Sequence, residues 1–174
     1  MVMGMARFYG GLVQLLAGMW EFKTGNTFGA VAFSSYGGFW MGYAALFIDV
    51  FGFLDAYAGQ GRQLDMDLAV FLLAWSIFSG LMTIAAHRTT AVLMFLLFTV
   101  HLTFLMLSIH HFCGSRFPIV QQTGGALGII AAFTAWYAAF ASFFTSKTSL
   151  FQLPLWELDE IYIKWGWLPP KENK

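Results

Sequence analysis

Polar side chains that could bind or transfer something are few in this 174-residue chain, and most fall inside long apolar runs. Gln14 sits in the first run, and Ser34, Ser35 and Tyr36 cluster in the second, with Asp49 at its end. Ser76, Ser79 and Thr83 share one face of a third, since positions three and four apart are helical neighbours. Thr99, His101 and Thr103 mark a fourth. Two readings stand for such groups. They can line a narrow, weakly polar route for a small solute, or they can bond across to neighbouring helices, as Ser and Thr commonly do. His101 differs from the others because it is ionisable, and an ionisable group in hydrocarbon needs a protein or water partner. It is a candidate proton-responsive residue.

Other chemistries find little support. His110, His111 and Cys113 are close enough in sequence to suggest metal ligands, but adjacent helical residues point in different directions, so no metal site is expected. No carboxylate, histidine and nucleophile fall into a catalytic order, and Cys113 has no activating neighbour. We therefore expect no catalytic residues and no cofactor. The absence of a buried run of Asp, Glu, Lys or Arg argues against a metal-ion transporter and against a pump with several buried charges.

The elements that must position these groups follow from composition. Hydrophobic residues make up 59% and charged residues 10% of the chain, against about 25% charge in ordinary globular domains. So few charges cannot cover so much apolar surface in water. The nine Lys and Arg balance the nine Asp and Glu, which leaves no basic field for nucleic acid. One cysteine excludes an internal disulfide framework, and no secretory leader is apparent.

The apolar runs predict an all-α, polytopic transmembrane bundle with five spans, near residues 1–20, 28–50, 67–86, 90–111 and 123–146. About 20 helical residues cover the roughly 30 Å hydrocarbon layer. Unpaired backbone is costly there, so each run should be a helix. The continuous apolar character of segments such as Leu93–Phe98 excludes the alternation of a barrel strand. Asp55 to Asp67 and Cys113 to Gln122 read as loops, and Glu21–Thr27 and His87–Thr90 as tight turns.

Residues 147–174 read as a cytoplasmic or interfacial tail, because Trp156, Tyr162, Trp165 and Trp167 favour the headgroup level. Lys23, Arg88, Lys147, Lys164, Lys171 and Lys174 then share the cytoplasmic side, opposite Arg7, Arg62 and Arg116. Small residues four apart suggest close helix contacts: Gly25 with Gly29, Gly38 with Gly42, and the Gly124, Gly128, Ala132 stripe.

Several of these segments together resemble one family. FYGG from Phe8, Gln14, EFKTGNTFG from Glu21 and SSYGGFW from Ser34 are similar to the acetate uptake transporters. So are Trp75, GGALGIIAAFTAWYAAFASF from Gly124, and Leu153–Pro154. That family includes bacterial acetate/succinate transporters and fungal acetate or ammonia-export proteins, and the match reads closer to the fungal branch. The resemblance implies a six-helix subunit in the plasma membrane, assembled as a homohexamer, with a monocarboxylate pathway in each subunit. It implies acetate, and succinate or related acids, as substrates of a proton-linked or channel-like process. Ammonia or ammonium export and a non-transporting scaffold or sensor are the competing functions.

By the same resemblance Tyr36 matches the aromatic at the pathway constriction, Val100 its aliphatic partner, and Gln14 a polar position facing the route. Glu21, Asn26 and Thr27 match the signature around the turn, where Asn26 and Thr27 can either meet an anion or cap a helix. Glu21 is expected to partner Lys23 or a backbone group. Gly25, Gly29, Gly37 and Trp40 complete the structural signature. The family's opening NPAPLG helix is not matched, and Met1 falls where its second helix begins. The resemblance thus implies either a further apolar helix of about 20 residues encoded upstream, or a divergent five-helix protein.

Overall fold

The computed structural model describes residues 2–114, 116–144 and 149–167, so the roles expected of Lys147, Lys171 and Lys174 lie outside the described residues. Among the described residues the regular elements are helices, apart from an isolated β-bridge between Thr90 and Glu157. It divides into two compact units, Met1–Gly61 and Arg62–Lys174.

In the first unit a short helix α1 (Val2–Met5) runs into a π-helical segment (Ala6–Val13), which continues as α2 (Gln14–Thr24). The helix stops because Gly25 adopts the left-handed conformation at φ 82° and donates its N–H to the Glu21 and Phe22 carbonyls. That conformation is nearly free of cost only for glycine. Asn26 then caps α3 (Thr27–Ala45).

Glycines set the approach of α3 to the preceding segments. A Cβ added to Gly37 would lie 2.6 Å from the Leu15 nitrogen and 2.9 Å from the Gly11 carbonyl oxygen. One added to Gly18 would lie 2.5 Å from the Ser34 nitrogen, and one on Gly11 would lie 2.5 Å from Met41 Cγ. The backbones therefore touch directly, the usual means of adhesion where lipid removes any hydrophobic incentive to associate. The expected pair Gly38 and Gly42 is not part of this crossing: no described atom comes within 4 Å of a Cβ at either position. A 3₁₀ turn (Asp49–Phe51) and short α4 (Phe53–Ala56) complete the unit.

The second unit is built on α5 (Gly61–Ala85), α6 (Ala91–Phe112) and α7 (Pro118–Phe143). α5 begins within the expected loop, so Arg62, Asp65 and Asp67 occupy its first turns. α7 begins five residues before its expected start, with Pro118 in its first turn, where a missing N–H costs nothing. Ser108 Oγ donates to the Ala69 carbonyl at 2.8 Å, tying α6 to α5. Gly124 and Gly128 face α6, where Cβ atoms would lie 3.1 Å from Leu107 Cδ2 and 3.5 Å from Thr103 Cγ2.

The tail is pinned to the α5–α6 turn. Ala91 N–H donates to the Trp156 carbonyl at 2.9 Å, and Leu158 N–H to the Thr89 carbonyl at 3.0 Å. Arg88 Nε pairs with Asp159 at 3.1 Å, in the first turn of α8 (Leu158–Lys164).

The expected five spans of a six-helix fold require correction. Among the described residues three helices are long and apolar enough to cross a membrane: Gly61–Arg88, Ala91–Phe112 and Pro118–Phe143. The stretch expected at 1–20 is divided among a four-residue helix, an eight-residue π segment and α2. The span expected at 28–50 ends at Ala45, and Ser34, Ser35, Tyr36 and four glycines dilute its apolar character. The architecture is an all-α, multi-pass helical bundle with three such spans among the described residues.

The glycine crossing gives a paired test. Gly37→Ala should destabilise the protein by about 1–3 kcal/mol through overpacking, despite alanine's better helix propensity. Gly38→Ala next to it should be neutral or stabilising by up to about 1 kcal/mol. Loss of helical circular dichroism against denaturant in detergent measures both, and equal effects would contradict the crossing.

Candidate functional site

The residues of interest in the first unit form two groups. Around the α2–α3 turn, Asn26 Nδ2 donates to Glu21 Oε2 at 2.6 Å, while Asn26 Oδ1 accepts the Gly29 N–H at 3.1 Å. The capping reading of Asn26 is thus realised, and the Glu21 carboxylate takes Asn26, rather than Lys23, as a partner. Lys23 instead places Nζ 5.0 Å from the Trp20 ring centroid, a cation–π distance. A Cβ on Gly29 would meet Asn26 Nδ2 at 2.6 Å and Glu21 Oε2 at 3.1 Å, so this glycine leaves room for the pair. Gly25, Asn26 and Gly29 in the TGNTFG motif therefore perform three steps of one turn: stop, cap and clearance. Thr27 is exposed at the start of α3.

The second group follows the helix crossing. Gln14 is half-buried where the π segment joins α2, and its N–H donates to the Gly11 carbonyl. Tyr36 is half-buried on α3 beside Gly37. Trp40 packs on Gly10, where an added Cβ would stand 3.3 Å from its Cγ. Beyond it Phe39 stacks on Tyr43 with centroids 5.6 Å apart. FYGG and SSYGGFW are thus complementary parts of one contact: Gly10 admits Trp40, Gly11 admits Met41, and Gly37 admits the backbone at Gly11 and Leu15.

In the second unit His101 is held by α5. Its Nδ1 lies 2.8 Å from the Ser76 carbonyl oxygen and 3.1 Å from Ser76 Oγ. Because a carbonyl can only accept, Nδ1 carries the proton. Ser76 Oγ in turn donates to the His101 carbonyl at 3.2 Å. The pair is reciprocal, and in this tautomer Nε2 carries the ring's acceptor lone pair. Gly80, one turn beyond Ser76, leaves space for the ring: its Cβ would stand 3.3 Å from His101 Nδ1. Val100 is half-buried on α6, one residue before His101.

Other polar residues take local partners. Thr83 donates to the Ser79 carbonyl, Thr99 to Phe95 and Leu96, and Thr103 to Thr99. His110 Nδ1 donates to the Phe117 carbonyl at 3.3 Å and His111 Nδ1 to Asp65 at 2.9 Å. The two imidazoles therefore serve different partners. Sequence reasoning missed Gly18 and Gly80 as contact glycines and Ser108 as an interhelical donor. The Ser76–Gly80 spacing of four was the available signal for one of them.

These features define a multi-pass integral membrane protein whose helices are joined by glycine contacts and a few internal hydrogen bonds. The chain belongs to the GPR1/FUN34/yaaH family, whose profile matches residues 1–160. It is 44% identical over 148 residues to ammonia transport outward protein 2 of Saccharomyces cerevisiae, covering 85% of this chain and 52% of that protein. It is 33% identical over 157 residues to the succinate-acetate/proton symporter SatP of Escherichia coli, covering 90% of this chain and 79% of that one. Among solved structures, the bacterial acetate channel SatP superposes with a TM-score of 0.76 at 30% identity, covering 88% of this chain and 82% of the other. The chain spans about half the length of the fungal relatives it matches.

Removing the Asn26 cap tests the turn. Asn26→Ala should cost about 0.5–2 kcal/mol, and Asn26→Ser, which keeps a capping oxygen, should recover much of it. Equal denaturation midpoints for all three proteins would show that the turn does not depend on this side chain.

Proposed function

We propose that this protein moves acetate and related short-chain carboxylates, succinate among them, across the membrane. The observation that carries this reading is the likeness to the bacterial acetate channel over most of both chains. We propose Gln14 and Tyr36 in the first unit, and Val100 and His101 in the second, as the pathway residues each unit supplies. The Tyr36 hydroxyl offers a hydrogen bond to a carboxylate and its ring narrows the passage. Val100 supplies an apolar wall, Gln14 an amide, and Thr27 a hydroxyl at the exposed start of α3. Asn26 stands at the same turn, but its bonds to Glu21 and Gly29 favour a positioning role.

A bare carboxylate is expensive to desolvate, and protonation relieves much of that cost. We therefore propose proton-linked movement, with His101 Nε2 as the responsive group, since Nδ1 is already committed to Ser76. The name of the Escherichia coli relative, a proton symporter, supports the same coupling. Assembly as a homohexamer is part of this proposal. Outward ammonia movement is the second reading, favoured by the name of the yeast relative at 44% identity.

Labelled acetate uptake into proteoliposomes tests the function. Saturable uptake at acidic outside pH should exceed ammonium flux in the same vesicles, and its absence from folded protein would defeat the proposal. Tyr36→Ala should change acetate flux or its preference over larger dicarboxylates by about fivefold, the weight of one hydrogen bond of roughly 1 kcal/mol. His101→Gln should flatten the pH dependence of uptake and leave assembly intact. An unchanged pH profile would return His101 to a purely structural role.

A further inference from the structure

One end of the second unit carries a cavity of about 430 Å³ lined by Arg62, Asp65, Phe112, Cys113, Gly114 and Arg116. Neither Val100 nor His101 lines it. Its construction is specific. Arg62 Nη1 donates to the Phe112 carbonyl at 3.1 Å and reaches the His111 carbonyl at 3.4 Å, so the guanidinium closes the C-terminal end of α6. Gly114, with φ 62°, makes this approach possible, since even a Cβ there would stand 3.1 Å from Nη1. A guanidinium has five N–H donors in a fixed fork, and these two bonds involve only one of its nitrogens.

The carboxylate in the cavity wall is already engaged. Asp65 Oδ1 accepts from His111 Nδ1 at 2.9 Å, which directs that oxygen to the imidazole. Arg116 is exposed, and among the described residues it forms no ion pair. Two residues beyond it α7 begins at Pro118, adding the partial positive charge of a helix N-terminus to the same loop. Two guanidinium groups against one paired carboxylate leave the cavity with positive character, beside the apolar Phe112 ring.

We propose that this cavity is a docking site for small carboxylate anions, with Arg116 and the free edge of Arg62 as the anion-binding groups. The assignment of carboxylate among anions rests on the transport reading above, whereas the positive character rests on the geometry alone. The site concentrates the anion at one end of the α5–α6–α7 unit, as fixed charges raise local counter-ion concentration in a cleft.

Cys113 is the chain's single cysteine, it lines the cavity and it is partly exposed, so it reports on the site without requiring transport. The experiment uses the full chain in detergent, labelled separately with the anionic sulfonatoethyl and the cationic trimethylammonioethyl methanethiosulfonates. The anionic reagent should be favoured, and Arg116→Gln should lower the anionic-to-cationic rate ratio by about threefold or more, with Arg116→Lys restoring it. Sodium succinate or acetate should slow labelling at least about twofold relative to sodium chloride of equal ionic strength, by occupying the site. A ratio unchanged in Arg116→Gln, or equal protection by chloride, would overturn the proposal. Protection that persists in a protein inactive for acetate uptake would leave the docking site standing and count against the transport reading alone.

Discussion

The structure depends on one constraint: hydrocarbon supplies no hydrophobic force to hold one helix against another, so contact must come from close packing and polar bonds. Both units meet it, by different means. The first brings backbones into direct contact through Gly11, Gly18 and Gly37. The second ties α5 to α6 with polar rungs along their antiparallel length: Arg62 with Phe112, Asp65 with His111, Ala69 with Ser108 and Ser76 with His101. Each such bond is worth only about 0.6 kcal/mol on average in a membrane. Spread over the whole helix they fix register more than they add stability.

That constraint explains why the polar residues are placed as they are. Ser76 and His101 satisfy one another's polar groups, which gives an ionisable ring its partners within the α5–α6 pair. The reciprocal bond commits one imidazole nitrogen, Nδ1, and the packing of α5 on α6 to the same pair of residues. The glycines play a similar double part. Gly80 gives the imidazole room, and Gly29 gives the Asn26–Glu21 pair room on the first turn of α3.

The ends of the helices are where charge collects. Arg88 and Asp159 fasten the tail to one turn, and Arg62 closes α6 at the other end of that helix. A helix C-terminus carries partial negative charge that a guanidinium offsets. The unit thus pairs Ser76 with a half-buried imidazole along the length of α5 and α6 and gathers guanidinium groups at the ends of its helices.

Much of this was legible in the chain alone. Composition determined the membrane class, because the balance of apolar and charged side chains is a sum over residues that no fold alters. Spacing of the TGNTFG residues determined the α2–α3 turn, since stop and cap signals act within four or five positions. The motifs FYGG and SSYGGFW also marked the family, but they did not say which glycine touches what. Only the tertiary structure decided that Gly37 rather than Gly38 carries the crossing, and that the first expected span is interrupted by a π segment while α3 is shortened and diluted. It also decided the partners of His101, Ser108 and Arg62, which lie 25, 39 and 50 residues away in sequence. Hydropathy is a local quantity, whereas a hydrogen bond between helices depends on register and rotation that no single segment encodes.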